Sequence, residues 1–235
     1  MVEVRTGFDP VEHGFRFTNS FHGGEVVGEM ARQGRLQELT GLKVPRAVRH
    51  LTNLIEGEGF WGTFGLCGGM SWTALDLFRR GEPRPATASI PGSGSQLFSD
   101  LVERQADSMR GRDLLERCLV WQLLPDKAPW WMFWSKGIGR LTVEGEWPKL
   151  QRDLDSGAPT ALTLIRAQGV TMPDKHHQVV ATGYDLSGDR AGIHIYDPNH
   201  PGSTPSITID LGDRSVRPRQ SPGEAVRGFF VWSPD

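Results

Sequence analysis

The hydrophobic pattern of this chain changes period once, and that change limits the folds open to it more than any other feature. From Gly69 to Arg80 the apolar positions Met70, Ala74, Leu75, Leu77 and Phe78 recur at helical spacing, and Gly81-Glu82-Pro83 ends the run. Leu97, Phe98, Leu101, Val102 and Gln105 predict a second helix after the Pro/Gly/Ser loop 82–95. Leu115, Cys118, Leu119 and Leu123 predict a third over about 112–124, ended by Pro125. Residues 1–60 read as a loop-rich start around Phe15, Phe17 and Phe21, followed by a helical stretch near Ala47–Glu56. Past the aromatic segment Pro129–Trp134 and one short helix at Trp147–Leu154, strand-like runs take over. They are Thr160–Arg166, Gln178–Tyr184, Ala191–Tyr196, Ser206–Asp210 and Gly228–Trp232, separated by turn signals such as Ser187-Gly188-Asp189. Helices first and strands second predict an α+β fold. The expectation is a single domain over 1–235, with 1–135 mainly helical and 136–235 mainly β.

Charge excludes some partners. With 26 Lys+Arg against 28 Asp+Glu and no arginine-rich run, a nucleic-acid partner is not expected. No run approaches the ~20 apolar residues of a membrane span. The opening Met1–Pro10 carries neither a basic segment nor an apolar one of the kind a signal peptide has, so a cytoplasmic protein is the default expectation. Two cysteines do not make a disulfide scaffold.

Those cysteines differ in their surroundings. Cys67 stands at the start of the first helical pattern, between Gly65 and the pair Gly68-Gly69. A helix N-terminus lowers a thiol pKa, and the thiolate is the nucleophile. Glycines let a substrate backbone approach closely. A lone cysteine is otherwise most often a small buried hydrophobe. That reading suits Cys118, in mid-helix among leucines, better than it suits Cys67.

A base for such a nucleophile appears more than a hundred residues later. If Gln178–Tyr184 and Ala191–Tyr196 form a hairpin closed by 185–190, Tyr184 faces about Ala191, and His177 falls opposite Asp197 or Pro198. Directly opposed residues have Cβ atoms ~5 Å apart. The carboxylate of Asp197 is then placed to hold one ring nitrogen of His177 and leave the other for the proton of Cys67. A register error of one or two residues exchanges His177 for His176, or Asp197 for Asn199. Taken alone, an Asp-Pro near a turn and a histidine nearby are commoner as a satisfied surface pair.

Metal binding is the rival use of His176, His177, His194, His200 and Asp197. Yet no Cys-x-x-Cys, His-Glu-x-x-His or EF-hand spacing occurs, and adjacent histidines on a strand point to opposite faces. No phosphate-binding glycine loop is present either, so neither a metal nor another cofactor is expected. The Trp130–Trp134 cluster reads as interior packing before it reads as a substrate groove.

Together these segments resemble the papain-like cysteine peptidase superfamily. The residues that carry the likeness are Cys67-Gly68 with Ala74-Leu75 on a helix, His177-Gln178-Val179-Val180 with Gly183-Tyr184-Asp185, and Tyr196-Asp197-Pro198. The nearest branch is the bacterial proteins similar to bacteriocin leader-processing peptidases, and the likeness runs from about residue 60 to 232. It implies a helical half carrying the nucleophile helix, packed on a C-terminal antiparallel sheet or half-barrel, with a cleft between them. It implies Cys67 as nucleophile, His177 as general base and acid, Asp197 as orienter, and a peptide or amide-containing substrate. Acyl transfer to an amine, or an inert binding module, fits the same likeness. Members commonly carry a glutamine six positions before the cysteine to hold the oxyanion; here Trp61 stands there, leaving the Cys67 backbone N–H with Trp61, Thr63 or the Asn19 loop as candidate donors. An alternative alignment on Cys67-Gly68-Gly69 puts Met70 in the nucleophile position.

Overall fold

The computed structural model describes residues 1–35, 65–109, 113–127, 136–169 and 175–233. The expected helix near Ala47–Glu56, the Trp130–Trp134 cluster, and Trp61 and Thr63 lie outside them. Helices of the N-terminal part pack on a C-terminal antiparallel sheet that curls into a half-barrel, the α+β arrangement the change of period predicts.

The helical part is built from α1 (Pro10–His13), α2 (Gly23–Arg32), α3 (Cys67–Arg80), α4 (Gln96–Ser108) and α5 (Asp113–Leu123). Local chemistry sets the ends. The Ser95 side chain accepts from the N–H of Phe98 to start α4, and Gly81 takes the left-handed conformation (φ 66°) that closes α3. Inward-facing Met70, Ala74, Leu75, Phe98, Leu101, Val102 and Leu119 pack with Ala161, Ile165, Val180 and Phe230 from one face of the sheet. A second core lies on the other face, where Trp147, Leu150 and Leu154 of α7 (Trp147–Asp155) cover Leu162, Leu164, Val179, Ile193, Ile207 and Phe229. Truncating any one of these large buried side chains costs about 2–5 kcal/mol.

The sheet has β1 (Val2–Arg5), β2 (Thr160–Ile165), β3 (His177–Ser187), β4 (Arg190–Tyr196), β5 (Ser206–Asp210), β6 (Arg219–Gln220) and β7 (Gly228–Val231). The order is β6-β5-β4-β3-β2-β7, every paired strand antiparallel. The long β3 is its axis: β4 lines one edge, while β2 and then β1 share the other. β2 is buried on both faces and carries no charged residue, only Thr160 and Thr163 among apolar side chains.

The edge strand β7 is closed by side chains. Between α6 (Gly137–Arg140) and α7 the helix widens to a π-helix over Leu141–Glu146. Thr142 Oγ1 accepts from the N–H of Phe229 at 3.3 Å, and Glu146 Oε2 accepts from the N–H of Val231 at 2.9 Å. Two edge donors that invite strand addition are thereby satisfied.

Several expectations need correcting. The start of the chain is not simply loop-rich: Val2–Arg5 adds a strand to β3, and α2 follows at Gly23–Arg32. The hairpin closes on a two-residue turn, Gly188-Asp189, with Ser187 opposite Arg190 and Gly188 at positive φ. Tyr184 therefore faces Ile193 rather than Ala191. An irregularity between Ala181 and Gly183 takes back one residue, so that Val180 faces Tyr196. Among the described residues no helix is long and apolar enough to cross a membrane.

Candidate active site

Helix α3 delivers Cys67 to the end of β3. Its first turn is held against the strand by Ser71 Oγ, which donates to the Gln178 carbonyl at 3.1 Å, and by Trp72 Nε1, which donates to Gln178 Oε1 at 3.2 Å. The Gln178 N–H in turn points at Cys67 Sγ, 3.4 Å away. Behind the helix, the glycines are a packing device. A Cβ on Gly69 would stand 2.2 Å from the Leu101 carbonyl oxygen of α4, and one on Gly68 2.5 Å from Ser108 Oγ. Their role is the close approach of α3 to α4, which corrects the expectation that they open a path for substrate. Gly65 does face the cleft, where a Cβ would meet Asn19 Nδ2 at 2.8 Å.

His177 and Asp197 meet, though by a different register from the one expected. Continuing the pairing of Val180 with Tyr196 sets His177 opposite Asn199, so Asp197 is its diagonal neighbour on the same face of the sheet. His177 Nε2–H donates to Asp197 Oδ1 at 2.6 Å. That leaves Nδ1 for the thiol of Cys67, with which the ring is hydrogen-bonded. Asp197, fully buried, also accepts from the Asn199 N–H at 2.8 Å and from Gln220 Nε2 at 2.6 Å.

These contacts set the charges. Burial alone would push the His177 pKa down, but the Asp197 carboxylate and Cys67 outweigh it and raise the ring to about 9. Burial would likewise raise the thiol. The His177 hydrogen bond and charge, with the N–H groups of Gln178 and Gly68, hold Cys67 below the ordinary thiol value. Asp197 falls to about 2: burial opposes ionisation, while His177, the Asn199 N–H and the charge of Arg166 favour it. A thiolate–imidazolium pair backed by a buried carboxylate is the state these shifts favour.

The residues left open at the sequence level take other places. His176 accepts at Nδ1 from the Arg166 N–H (3.3 Å) and donates from Nε2 to Gln122 Oε1 (2.8 Å), a neutral imidazole turned away from Asp197. Burial and the charges of Arg227 and Arg166 lower its pKa to about 4. Asn199 Oδ1 accepts from Asn19 Nδ2 at 3.2 Å. Met70 is fully buried in the core, whereas Cys67 is partly exposed, so the thiol and not Met70 meets the histidine. Cys118 is buried, its pKa driven far up by burial, and both cysteines are free thiols.

Two further side chains complete the site, one of them from the Asn19 loop already raised as a candidate donor. Asn19, anchored by its N–H to the Pro198 carbonyl and by Oδ1 accepting from the Leu66 N–H at 2.8 Å, lines the cleft with Cys67 and His177. Gln220 reaches Asp197 from the two-residue strand β6 while Arg166 Nη2 donates to its Oε1 at 3.0 Å. Among the described residues, one His/acid group has metal-ligand proximity: single ligand atoms of Asp197, His200 and Glu224 lie within 4.8 Å of one another. Each already has a protein partner, Asp197 as above, His200 on Glu224 at 3.1 Å, and Glu224 on Arg166.

The thiol lies where an open cleft of about 600 Å³ meets an inner pocket of about 50 Å³; Gly65, Cys67, His176 and His177 line both. A partly exposed thiolate, a cation that can give up its proton, and room on both sides suit attack on an electrophilic carbon. Comparison of the chain with protein-family models, with curated proteins and with solved structures finds no match.

Proposed function

We propose that the protein is a cysteine-dependent peptide or amide hydrolase working through a thioester acyl-enzyme. The observation that carries this reading is the convergence of Cys67, His177 and Asp197 from three segments into one hydrogen-bonded line at the wall of a cleft. The likeness of the motifs around these same residues to papain-like peptidases is consistent with it.

Cys67 thiolate attacks the carbonyl carbon, the C–S bond forms, and the π electrons move to oxygen. The oxyanion is met by the Asn19 Nδ2 amide at the cleft wall, in the place of the glutamine that Trp61 replaces, together with backbone N–H at the start of α3. His177 then donates its Nδ1 proton to the leaving nitrogen as the C–N bond breaks. Water enters, His177 takes a proton from it, the hydroxide adds to the thioester, and expulsion of the thiolate releases a carboxylate. Asp197 holds the ring so that Nδ1 faces the sulfur, and stabilises the imidazolium.

The test is alkylation by iodoacetamide followed by mass. Cys67 should react faster than a free thiol at pH 6–7, and His177→Ala should bring it to the free-thiol rate or below. Labelling no faster than a free thiol and indifferent to His177→Ala rejects the nucleophile reading and leaves a binding module.

A further inference from the structure

The inner pocket carries a feature that the catalytic line does not use. Thr163, at the centre of β2, is only 1% exposed and lines this pocket. Its Oγ1 has no hydrogen-bond partner, and it is the one buried hydroxyl left so among the described residues. Buried polar atoms are almost always paired, because an unpaired one forfeits its bond to water without replacement. The rest of the wall combines apolar Met109, Leu114, Leu115 and Cys118 with Gln105, Gln178 and the neutral ring of His176, and the mouth is Cys67 and His177. A cavity of about 150 Å³ is what a benzene-sized ligand occupies. One of about 50 Å³ holds two or three heavy atoms.

We infer that this pocket selects substrate: it takes a small hydroxyl-bearing side chain, that of serine or threonine, next to the bond that Cys67 attacks, and Thr163 Oγ1 pairs with its hydroxyl. No Asp, Glu, Lys or Arg lines the pocket to pair with a charged side chain, the volume excludes leucine and aromatic side chains, and the unpaired hydroxyl favours serine over alanine. Because Oγ1 can both donate and accept, either orientation of the incoming hydroxyl is satisfied. The assignment deepens the hydrolase reading and depends on it for calling the occupant a substrate.

Protection of Cys67 from iodoacetamide reads the pocket without needing turnover. N-acetyl N-methylamides of serine, threonine, alanine, leucine and phenylalanine serve as probes, each carrying one side chain. The serine and threonine compounds should halve the alkylation rate at concentrations about tenfold below those needed of leucine and phenylalanine. They should precede alanine by about fivefold, the size of one net hydrogen bond. Thr163→Val should erase the serine-over-alanine ratio and Thr163→Ser should keep it. Valine removes a hydroxyl that bonds to nothing, so its denaturation midpoint should equal or exceed the wild-type one. Protection by leucine or phenylalanine equal to that by serine, protection by none of the probes, or an unchanged ratio in Thr163→Val overturns the assignment. The unprotected alkylation rate tests the nucleophile separately: slow labelling counts against catalysis, while the protection ratios still read the pocket.

Discussion

Two thiols and two imidazoles line the same inner pocket, and the fold treats the members of each pair in opposite ways. Cys67 has its pKa lowered, and Cys118, in the middle of α5, has it raised far above the ordinary value. His177 rises to about 9, while its sequence neighbour His176 falls to about 4. Burial pushes the two thiols up and the two rings down in every case, so it does not separate them. The partners do. On one wall stand a carboxylate and the N–H groups of Gln178 and Gly68; on the other, Arg227 and Arg166 face the imidazole, and the thiol is packed among Leu114, Leu115 and Leu119. Arg166 contributes to both walls, depressing His176 and keeping Asp197 ionised. A reactive site therefore needs desolvation plus an assigned counter-charge, and desolvation alone makes an inert one.

The thiol pair gives the largest expected effect. Cys67→Ala should lower amide hydrolysis by about 10⁵-fold or more, the scale on which a nucleophile is lost. Cys118→Ala should leave the rate within a few-fold and instead lower stability by up to about 2 kcal/mol through the cavity it leaves. Rates on any cleavable peptide, with urea midpoints for both variants, make the comparison. Equal losses of rate would break the distinction between the two walls.

Next comes the counter-charge. Asp197→Asn keeps the shape but removes the charge that raises His177 and the acceptor that fixes its ring. A fall of about 10²–10⁴ in kcat is expected, as in a triad whose acid is made neutral. The pH profile gives the more specific readout. With His177 at about 9, the wild-type rate should hold into the alkaline range and fall as the imidazolium deprotonates there. In Asp197→Asn that limb should move toward the ordinary histidine value near 6.5. A limb that stays in place means that Asp197 is not what charges the ring.

Much of this was legible from the chain. Helical spacing marks α3, α5 and α7 to within about two residues and finds α4 without setting its end, and Ser206–Asp210 falls where its apolar alternation puts it. Cys67, His177 and Asp197 stand out because a thiol at a helix start and a His/Asp pair across a tight hairpin are local patterns. The two-residue turn and the irregularity in β3 shift the register in opposite directions, so the pairing survived a miscounted hairpin. β1 carried a readable alternation in Val2-Glu3-Val4-Arg5, and α2 a readable spacing in Val26 and Met30. The Asn19 loop entered only as one of several candidate oxyanion donors, and Gln220 was not readable as a site residue. Each is an amide in a stretch without periodicity, and its role depends on a long-range approach, Asn19 to Leu66 and Gln220 to Asp197. The glycines after Cys67 misled for a related reason: a short side chain is equally suited to a ligand and to a neighbouring helix, and only the position of α4 decides between them.

The histidine pair should also be separable in folding stability, with the smallest effect and opposite signs on the pH axis. His176 is held near 4, below its unfolded value of about 6.5, so between those values the unfolded chain binds a proton that the native protein refuses. Stability then falls as the pH drops through that window, at most by about 1.4 kcal/mol per pH unit for the one group. His176→Gln, whose amide can still bond to Gln122, should flatten the stability profile by up to one proton between pH 6.5 and 4. His177 behaves in reverse. Its native pKa is raised, so its contribution is complete below about 6.5 and is lost as the pH climbs through about 9. Because the Cys67 thiol of the unfolded chain titrates at about 8.5, in the same alkaline range, that limb is best read in a Cys67→Ser background, where Asp197 still raises the ring. There His177→Gln should flatten the alkaline side and leave the acid side alone. Urea midpoints at half-unit pH steps measure both. Parallel profiles for wild type and His176→Gln in acid would mean that Arg166 and Arg227 do not keep that ring neutral, and the two walls would then differ in their thiols alone.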